Sequence, residues 1–204
     1  SSFCRTVSLE VVAVSTVAAP PPETTVPSPP KPPTFTDDRA LPDFDLIDHT
    51  GAAFTRAGLT GHVTIVNFIF TRCDNICPVT TMKMRTVMDR TGDQPDIKLV
   101  SFTVDPEVDT PDRLRDYAAR YHADAQRWRF LTGPTPDLQR LSVEGFQLAM
   151  GAPPEGRPQG YNILHGEHIM LVDGAMRIRG YYHADDEGLR RVVRDAETVA
   201  REAP

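Results

Sequence analysis

The chain has 204 residues and a formal net charge of -6, with 40% hydrophobic and 25% charged residues. This length accommodates one ordinary domain plus a tail, and the composition is typical of a soluble globular protein. The acidic balance argues against nucleic-acid binding, because the arginines are set among Asp and Glu, as in residues 112–116, and form no basic stripe.

Residues 1–40 are predicted to be a disordered, proline-rich N-terminal segment. Eight of the 19 prolines fall within residues 20–33, a composition that favours an extended spacer over a helix or a strand, with a recognition role as the alternative. Residues 11–19 are mildly apolar and end in small residues, but Glu10 and the short length make them a poor membrane span. A secretory signal, the remnant of an anchor and plain disorder all remain open for this stretch.

A folded domain is predicted for residues 41–204. Short strands at 44–47 and 52–55 form an N-terminal hairpin around the turn at 48–51, and apolar runs at 62–70, 97–104 and 128–131 indicate buried strands. Helices are expected from Pro78 to about residue 90, from Thr110–Pro111 to about 121, and from Thr135–Pro136 to about 145. After a loop at 151–161, strands at 168–172 and 177–182 enclose Asp173–Gly174, and a helix spans 186–202. This order predicts an α/β fold with a thioredoxin-like central sheet flanked by helices.

The pair Cys73 and Cys77 follows a buried strand and opens a helix. A helix N-terminus concentrates unpaired N–H groups and partial positive charge, which lowers the pKa of a nearby thiol. The third cysteine, Cys4, lies in the N-terminal segment and is treated as incidental. The spacing of three residues suits both a disulfide and a metal ion, so redox chemistry and metal binding both remain open. Two thiolates alone leave zinc undercoordinated but suit Cu(I).

A third ligand is sought in the loop before the late hairpin. Thioredoxin-like folds usually carry a proline there, facing the cysteines, whereas residues 161–168 contain none and include His165. His165 is therefore the candidate ligand. His168, at the start of the following strand, is the weaker alternative.

Four segments carry a family resemblance: FIFTRCDNICPVT at 68–80, SFTVDPEVDTPDRLRDYA at 101–118, RWRFLTG at 127–133 and HGEHIMLVDGAMRIRGYY at 165–182. From about Leu41 to its end, the chain resembles the SCO/SenC family of copper-binding proteins of cytochrome c oxidase assembly. The resemblance implies that Cys73, Cys77 and His165 bind copper, as Cu(I) or Cu(II). One departure is Asp74–Asn75 after the first cysteine, where many members have Pro-Asp.

The resemblance also implies partners and a location. The chain is expected to be a metallochaperone for the dinuclear copper site of oxidase subunit II, with other periplasmic copper chaperones or thioredoxin-like reductants as further partners. The alternative is a thiol-disulfide oxidoreductase in which Cys73 and Cys77 are catalytic and reduce the cysteines of that copper site. An extracytoplasmic, periplasmic location is expected, tethered to or near the inner membrane through the N-terminal segment.

Two minor alternatives complete the sequence-based expectations. A peroxidase would need a single activated cysteine supported by nearby Thr and Arg, and Thr71 and Arg72 do not follow that pattern. Asp105 lies in the turn after the strand at 97–104. Its side chain either stabilises that turn and the following helix start or faces the cysteines.

Overall fold

The computed structural model describes residues 40–92, 94–148 and 168–202. Apart from Ala40, the predicted N-terminal segment lies outside the described residues, as does the predicted loop at 151–161. In chain order the elements are β1 Asp45–Asp48, β2 Ala53–Thr55, β3 Val63–Ile69, α1 Ile76–Arg90, β4 Ile97–Thr103, α2 Pro111–Arg120, β5 Trp128–Thr132, α3 Thr135–Arg140, β6 His168–Val172, β7 Ile178–His183 and α4 Asp186–Glu202.

The strands form one mixed sheet in the order β2-β1-β5-β4-β3-β6-β7. The three central strands β3, β4 and β5 are parallel, while β6 runs antiparallel to β3 and β7 antiparallel to β6. The predicted N-terminal hairpin is confirmed as the antiparallel pair β1 and β2 at the far edge. The α/β fold class with helices around a central sheet is confirmed.

Both faces of the sheet are covered, which explains why β3 is buried at all seven positions. On one face, a first cluster joins the sheet to α1, α2 and α4, through residues such as Met84, Leu114 and Val192. On the other face, a second cluster includes Leu138 from α3 and Phe44 from the N-terminal segment of the domain. Apolar side chains at alternate strand positions belong to one cluster or the other, as expected for a sheet that is buried on both faces.

Two helix starts can be compared with the positions predicted from local sequence. Thr110 caps α2 as predicted, its hydroxyl oxygen accepting a hydrogen bond from the Arg113 N–H at 3.4 Å. The α1 helix begins at Ile76, two residues before the predicted Pro78, because proline is tolerated throughout the first turn, where N–H groups have no helical partner.

The helix predicted from Thr135 to about residue 145 is divided in two. The α-helix ends at Arg140, and residues Leu141–Gly145 form a π-helical turn. The Ser142 hydroxyl donates to the Leu148 carbonyl oxygen at 3.0 Å, which fixes the end of this turn. Within the described residues, no helix is both long and apolar enough to cross a membrane.

Candidate metal and redox site

The two cysteines lie where the central strand β3 gives way to α1, at the carboxyl end of the parallel strands. The Cys73 N–H donates to the Phe70 carbonyl oxygen at 3.2 Å, so a tight turn carries the chain from strand to helix. Cys77 is the second residue of α1 and is only 1% exposed, whereas Cys73 is half-buried at the edge of the first cluster. Both are free thiols. Open α/β sheets bind ligands at this end of their strands.

The two thiols differ strongly in their acidity. Partial burial opposes ionisation of Cys73, but the N–H groups of Cys77, Asn75 and Ile76 outweigh it and hold the pKa of the Cys73 thiol below its ordinary value. The Cys77 N–H lies 3.4 Å from the Cys73 sulfur. These are the unpaired amides of the α1 N-terminus, which favour a thiolate.

Burial dominates at Cys77 and raises its pKa to about 12, with the Cys73 sulfur and the Asp109 carboxylate adding to the effect against an N–H contact from Phe70. Cys73 is thus the thiol that ionises and meets solvent, while Cys77 keeps its proton. A metal ion that binds both sulfurs must displace that proton.

Buried hydrogen bonds connect the backbone at Cys77 to the neighbouring helix α2. The Thr81 hydroxyl lies 2.7 Å from the Cys77 carbonyl oxygen and donates to it, and it also lies 2.9 Å from the Tyr117 hydroxyl of α2. All three residues are buried in the described structure. The hydrogen bonds connect the first turns of α1 to α2, so the position of Cys77 is set by two helices.

A buried carboxylate that the sequence analysis did not single out supports the turn before Cys73. Asp109 is 0% exposed and accepts hydrogen bonds from the Thr71 N–H at 3.1 Å, from the Thr71 hydroxyl at 2.5 Å and from the Thr103 hydroxyl at 2.5 Å. It therefore ties the turn that follows β3 to the end of β4. The only local signal was its position before the Thr110–Pro111 helix start, which indicates a cap rather than a contact across strands.

Asp105 pairs with Arg72, the residue before Cys73. Its carboxylate lies 2.5 Å from the Arg72 Nε, and the two side chains are 19% and 61% exposed. Its backbone N–H donates to the Thr103 hydroxyl at 2.9 Å. Asp105 thus contacts the cysteine turn through Arg72, as part of a surface ion pair.

Of the two candidate histidine ligands, the structure describes only His168. His165 lies outside the described residues. His168 begins β6, where it stands opposite His183 of β7. Its neighbour Ile169 belongs to the first cluster, with Cys77, so strand alternation puts His168 on the other face.

Among the described residues, the donors at this site are two sulfurs, which suit a soft metal ion. They lie four residues apart at one helix start, and no group of three or more His, Cys, Asp or Glu side chains that could enclose a metal ion is found among the described residues. Two thiolates suit Cu(I), and any further donor would come from elsewhere in the chain or from a partner.

Comparison with known proteins extends these observations. The SCO1/SenC family model matches residues 33–201. A protein named SCO1 protein homolog from Bacillus subtilis is 29% identical over 161 residues, covering 77% of this chain and 81% of its own length.

Solved structures of the same family are also similar to this chain. A SCO1/SenC family lipoprotein from Bacillus anthracis is 26% identical with a TM-score of 0.68, covering 79% of this chain and 95% of its own. BsSco, described as a Sco-family cytochrome c oxidase assembly protein with a disulfide switch, is 25% identical with a TM-score of 0.68, covering 79% and 94%.

ScoI from Bradyrhizobium japonicum, solved with copper bound, shares the fold at a TM-score of 0.65 with 22% identity, covering 79% of this chain and 99% of its own. The family match spans the strands, the cysteine turn and the final helix described above. The chain therefore belongs to the SCO1/SenC family.

Proposed function

We propose that this protein is a copper metallochaperone that binds Cu(I) and Cu(II) through Cys73, Cys77 and His165. The observation that carries the proposal is the unequal thiol pair at the start of α1, with one half-buried sulfur of lowered pKa beside a buried one. Two sulfurs held at one helix N-terminus suit Cu(I), and an imidazole would add the nitrogen donor that Cu(II) favours. The copper-bound relative supports copper as the cargo.

The proposed recipient is the dinuclear copper site of cytochrome c oxidase subunit II. Because Cys73 is only half-buried, an ion held by its sulfur would be within reach of an incoming ligand of the recipient, as metal transfer requires. The oxidase-assembly role of BsSco supports this choice. Other periplasmic copper chaperones would supply the metal, and thioredoxin-like reductants would keep the thiols reduced.

We place this activity outside the cytoplasm, tethered to or near the inner membrane through the proline-rich N-terminal segment. In the cytosol the two thiols would be kept reduced. In an oxidising compartment they can form a disulfide, so their redox state can change with function. The lipoprotein among the related structures supports a membrane-tethered arrangement.

Copper titration of the reduced protein tests the proposed ligands. Added Cu(II) is expected to produce a thiolate-to-copper charge-transfer band at one equivalent in the wild type. The His165→Ala variant should lose most of its Cu(II) affinity and the band, while its circular dichroism stays unchanged.

The matched control is His168→Ala, three residues away, which should retain the band because its side chain is on the other face of the sheet. Unchanged Cu(II) affinity in His165→Ala would contradict the ligand assignment. Loss of the band in His168→Ala alone would transfer the assignment to His168.

The second candidate function is a thiol-disulfide oxidoreductase acting on the cysteines of the same copper site. The specific observation in its favour is again the asymmetry of the pair. Cys73 as thiolate would attack the partner's disulfide, and Cys77 would then close a disulfide with Cys73, passing two electrons to the partner's cysteines, which take up one proton from Cys77 and one from water. The disulfide switch of BsSco is consistent with such a cycle.

The His165→Ala variant separates the two functions. A reductase role predicts that this variant still exchanges thiols at the wild-type rate and still supports oxidase assembly. A chaperone role predicts normal thiol exchange together with a loss of oxidase activity in cells that depend on this protein.

A further inference from the structure

Helix α1 presents a stripe of apolar side chains to solvent. Four large apolar side chains are exposed among the described residues, and two of them, Val79 and Met82, lie on this helix at 50% and 54% exposure. They are three residues apart, so they are neighbours on the helix surface. Ile76, another three residues earlier and only partly buried, extends the stripe to the start of α1. Adjacent exposed apolar residues indicate an interaction surface, whereas single ones are ordinary.

The stripe adjoins the cysteine turn. Ile76 and Cys73 both pack at the edge of the first cluster, and the Ile76 N–H is one of the amides that lower the pKa of the Cys73 thiol. A helix rises 1.5 Å per residue, so the stripe extends about 9 Å along α1 from Ile76 to Met82. A protein that exchanges a metal ion or a disulfide with Cys73 must bring its own donor atom to that sulfur. Its surface then lies against the first turns of α1.

Acidic side chains border the stripe. Asp74 is exposed in the turn before α1. Asp186, the exposed first residue of α4, lies 4.0 Å from the Lys83 ammonium of α1, and its neighbours Asp185 and Glu187 are exposed as well. In the described part of the chain, Lys83 is the one cation within ion-pair distance of these four carboxylates. The border is therefore negative and favours a partner with a basic rim.

We infer that Ile76, Val79 and Met82 form the docking surface for the recipient, the copper-site domain of oxidase subunit II, which meets them with an apolar patch and a basic rim. The inference rests on the proposed function, because it takes the recipient named there as the occupant. A surface of three side chains is small, which suits a complex that forms and separates at each transfer. Thiol exchange would use the same surface, since it also takes place at Cys73.

The test combines the full-length, copper-loaded chain with the soluble copper-site domain of oxidase subunit II. The double variant Val79→Gln and Met82→Gln should keep the circular dichroism and the Cu(II) affinity of the wild type, because glutamine is a good helix former and neither side chain is a ligand. Its association with the recipient domain, measured by isothermal titration calorimetry, should weaken by at least about tenfold, because two apolar side chains no longer contribute to the interface. Copper transfer at limiting recipient concentration should slow with it.

The matched control is Val143→Gln. Val143 is equally exposed, at 51%, but it lies in the π-helical turn whose Leu141 packs into the second cluster, on the other face of the sheet. This variant should associate with the recipient domain like the wild type. Added salt should weaken the association of the wild type, and less so that of Asp186→Asn, which lacks one charge of the acidic border.

Equal affinity of the double variant and the wild type would overturn the docking surface and leave the proposed function standing, since copper transfer would continue. No association and no transfer by the wild type would overturn the proposed recipient and the inference with it. A wild-type dimer that the double variant loses would assign the stripe to a second copy of this chain, against the inference. Association that does not respond to salt would overturn the basic rim of the partner.

Discussion

The two thiols of this protein differ in pKa because they occupy different positions at the same helix start. Cys73 receives the free N–H groups of the first turn, and Cys77 is itself part of that turn and faces the core. Thiolate is the form that attacks a disulfide or an alkylating reagent, so reactivity at neutral pH follows the lower pKa.

We therefore expect iodoacetamide at pH 7 to modify Cys73 well before Cys77 in the reduced protein. Peptide mass spectrometry over time measures the two rates, and Cys4 is resolved on its own peptide. In a Cys73→Ser control, Cys77 should stay slow, because burial and not competition protects it. Equal rates for Cys73 and Cys77 would contradict the asymmetry on which both proposed functions rely.

At the scale of elements, the cysteine turn is held by its contact with the neighbouring strand. Asp109 joins Thr71, after β3, to Thr103 at the end of β4. Replacing the carboxylate with an amide leaves at least one of these buried donors without a good acceptor, at a cost of about 1–3 kcal/mol.

Asp109→Asn should accordingly lower the free energy of unfolding in urea by about that amount. Asp105→Asn is the matched control four residues earlier, and since its partner Arg72 is largely exposed we expect a loss of no more than about 1 kcal/mol. Similar losses in the two variants would show that the buried network does not anchor the turn.

Much of the fold could be predicted because its signals are local. The buried run of β3 and the Thr110–Pro111 start of α2 need only neighbouring residues to be recognised. Asp109 was missed because its acceptor role spans 38 residues to Thr71, and such contacts depend on which strands lie side by side. The pairing of His168 with His183 depends likewise on the register of a hairpin. Of the predicted copper ligands, the described residues include the two cysteines.

At the scale of the whole molecule, the N-terminal hairpin is joined to the sheet by two groups, Asp48 and His49, whose pKa values are lowered in the folded state. The Asp48 carboxylate accepts hydrogen bonds from Thr50 and Ala52 and pairs with Arg129 at 2.9 Å. These contacts outweigh burial and hold the pKa of Asp48 below its ordinary value. Burial also lowers the pKa of the neighbouring His49, whose Nδ1 accepts a hydrogen bond from the Phe130 N–H at 3.2 Å.

Both shifts make the protein less stable as the pH falls. The unfolded state takes up a proton on His49 below its ordinary pKa of 6.5, whereas the folded state resists it, so stability declines from there downward. Asp48 contributes stability above its unfolded pKa of 3.8 that is lost as the pH falls through its lower folded value. The first loss begins near pH 6.5, the ordinary pKa of histidine, and the second belongs to more acidic solution.

We expect the urea midpoint to decrease between pH 7 and pH 5, with His49 adding to the slope at most about 1.4 kcal/mol per pH unit, the limit for one proton. A His49→Asn variant should be less stable at pH 7, because the fit around the ring is lost, but its stability should decline less steeply with acid. Replacing the exposed His122 with Asn should leave the slope unchanged. A slope that persists in His49→Asn would mean that the acid sensitivity arises elsewhere in the chain.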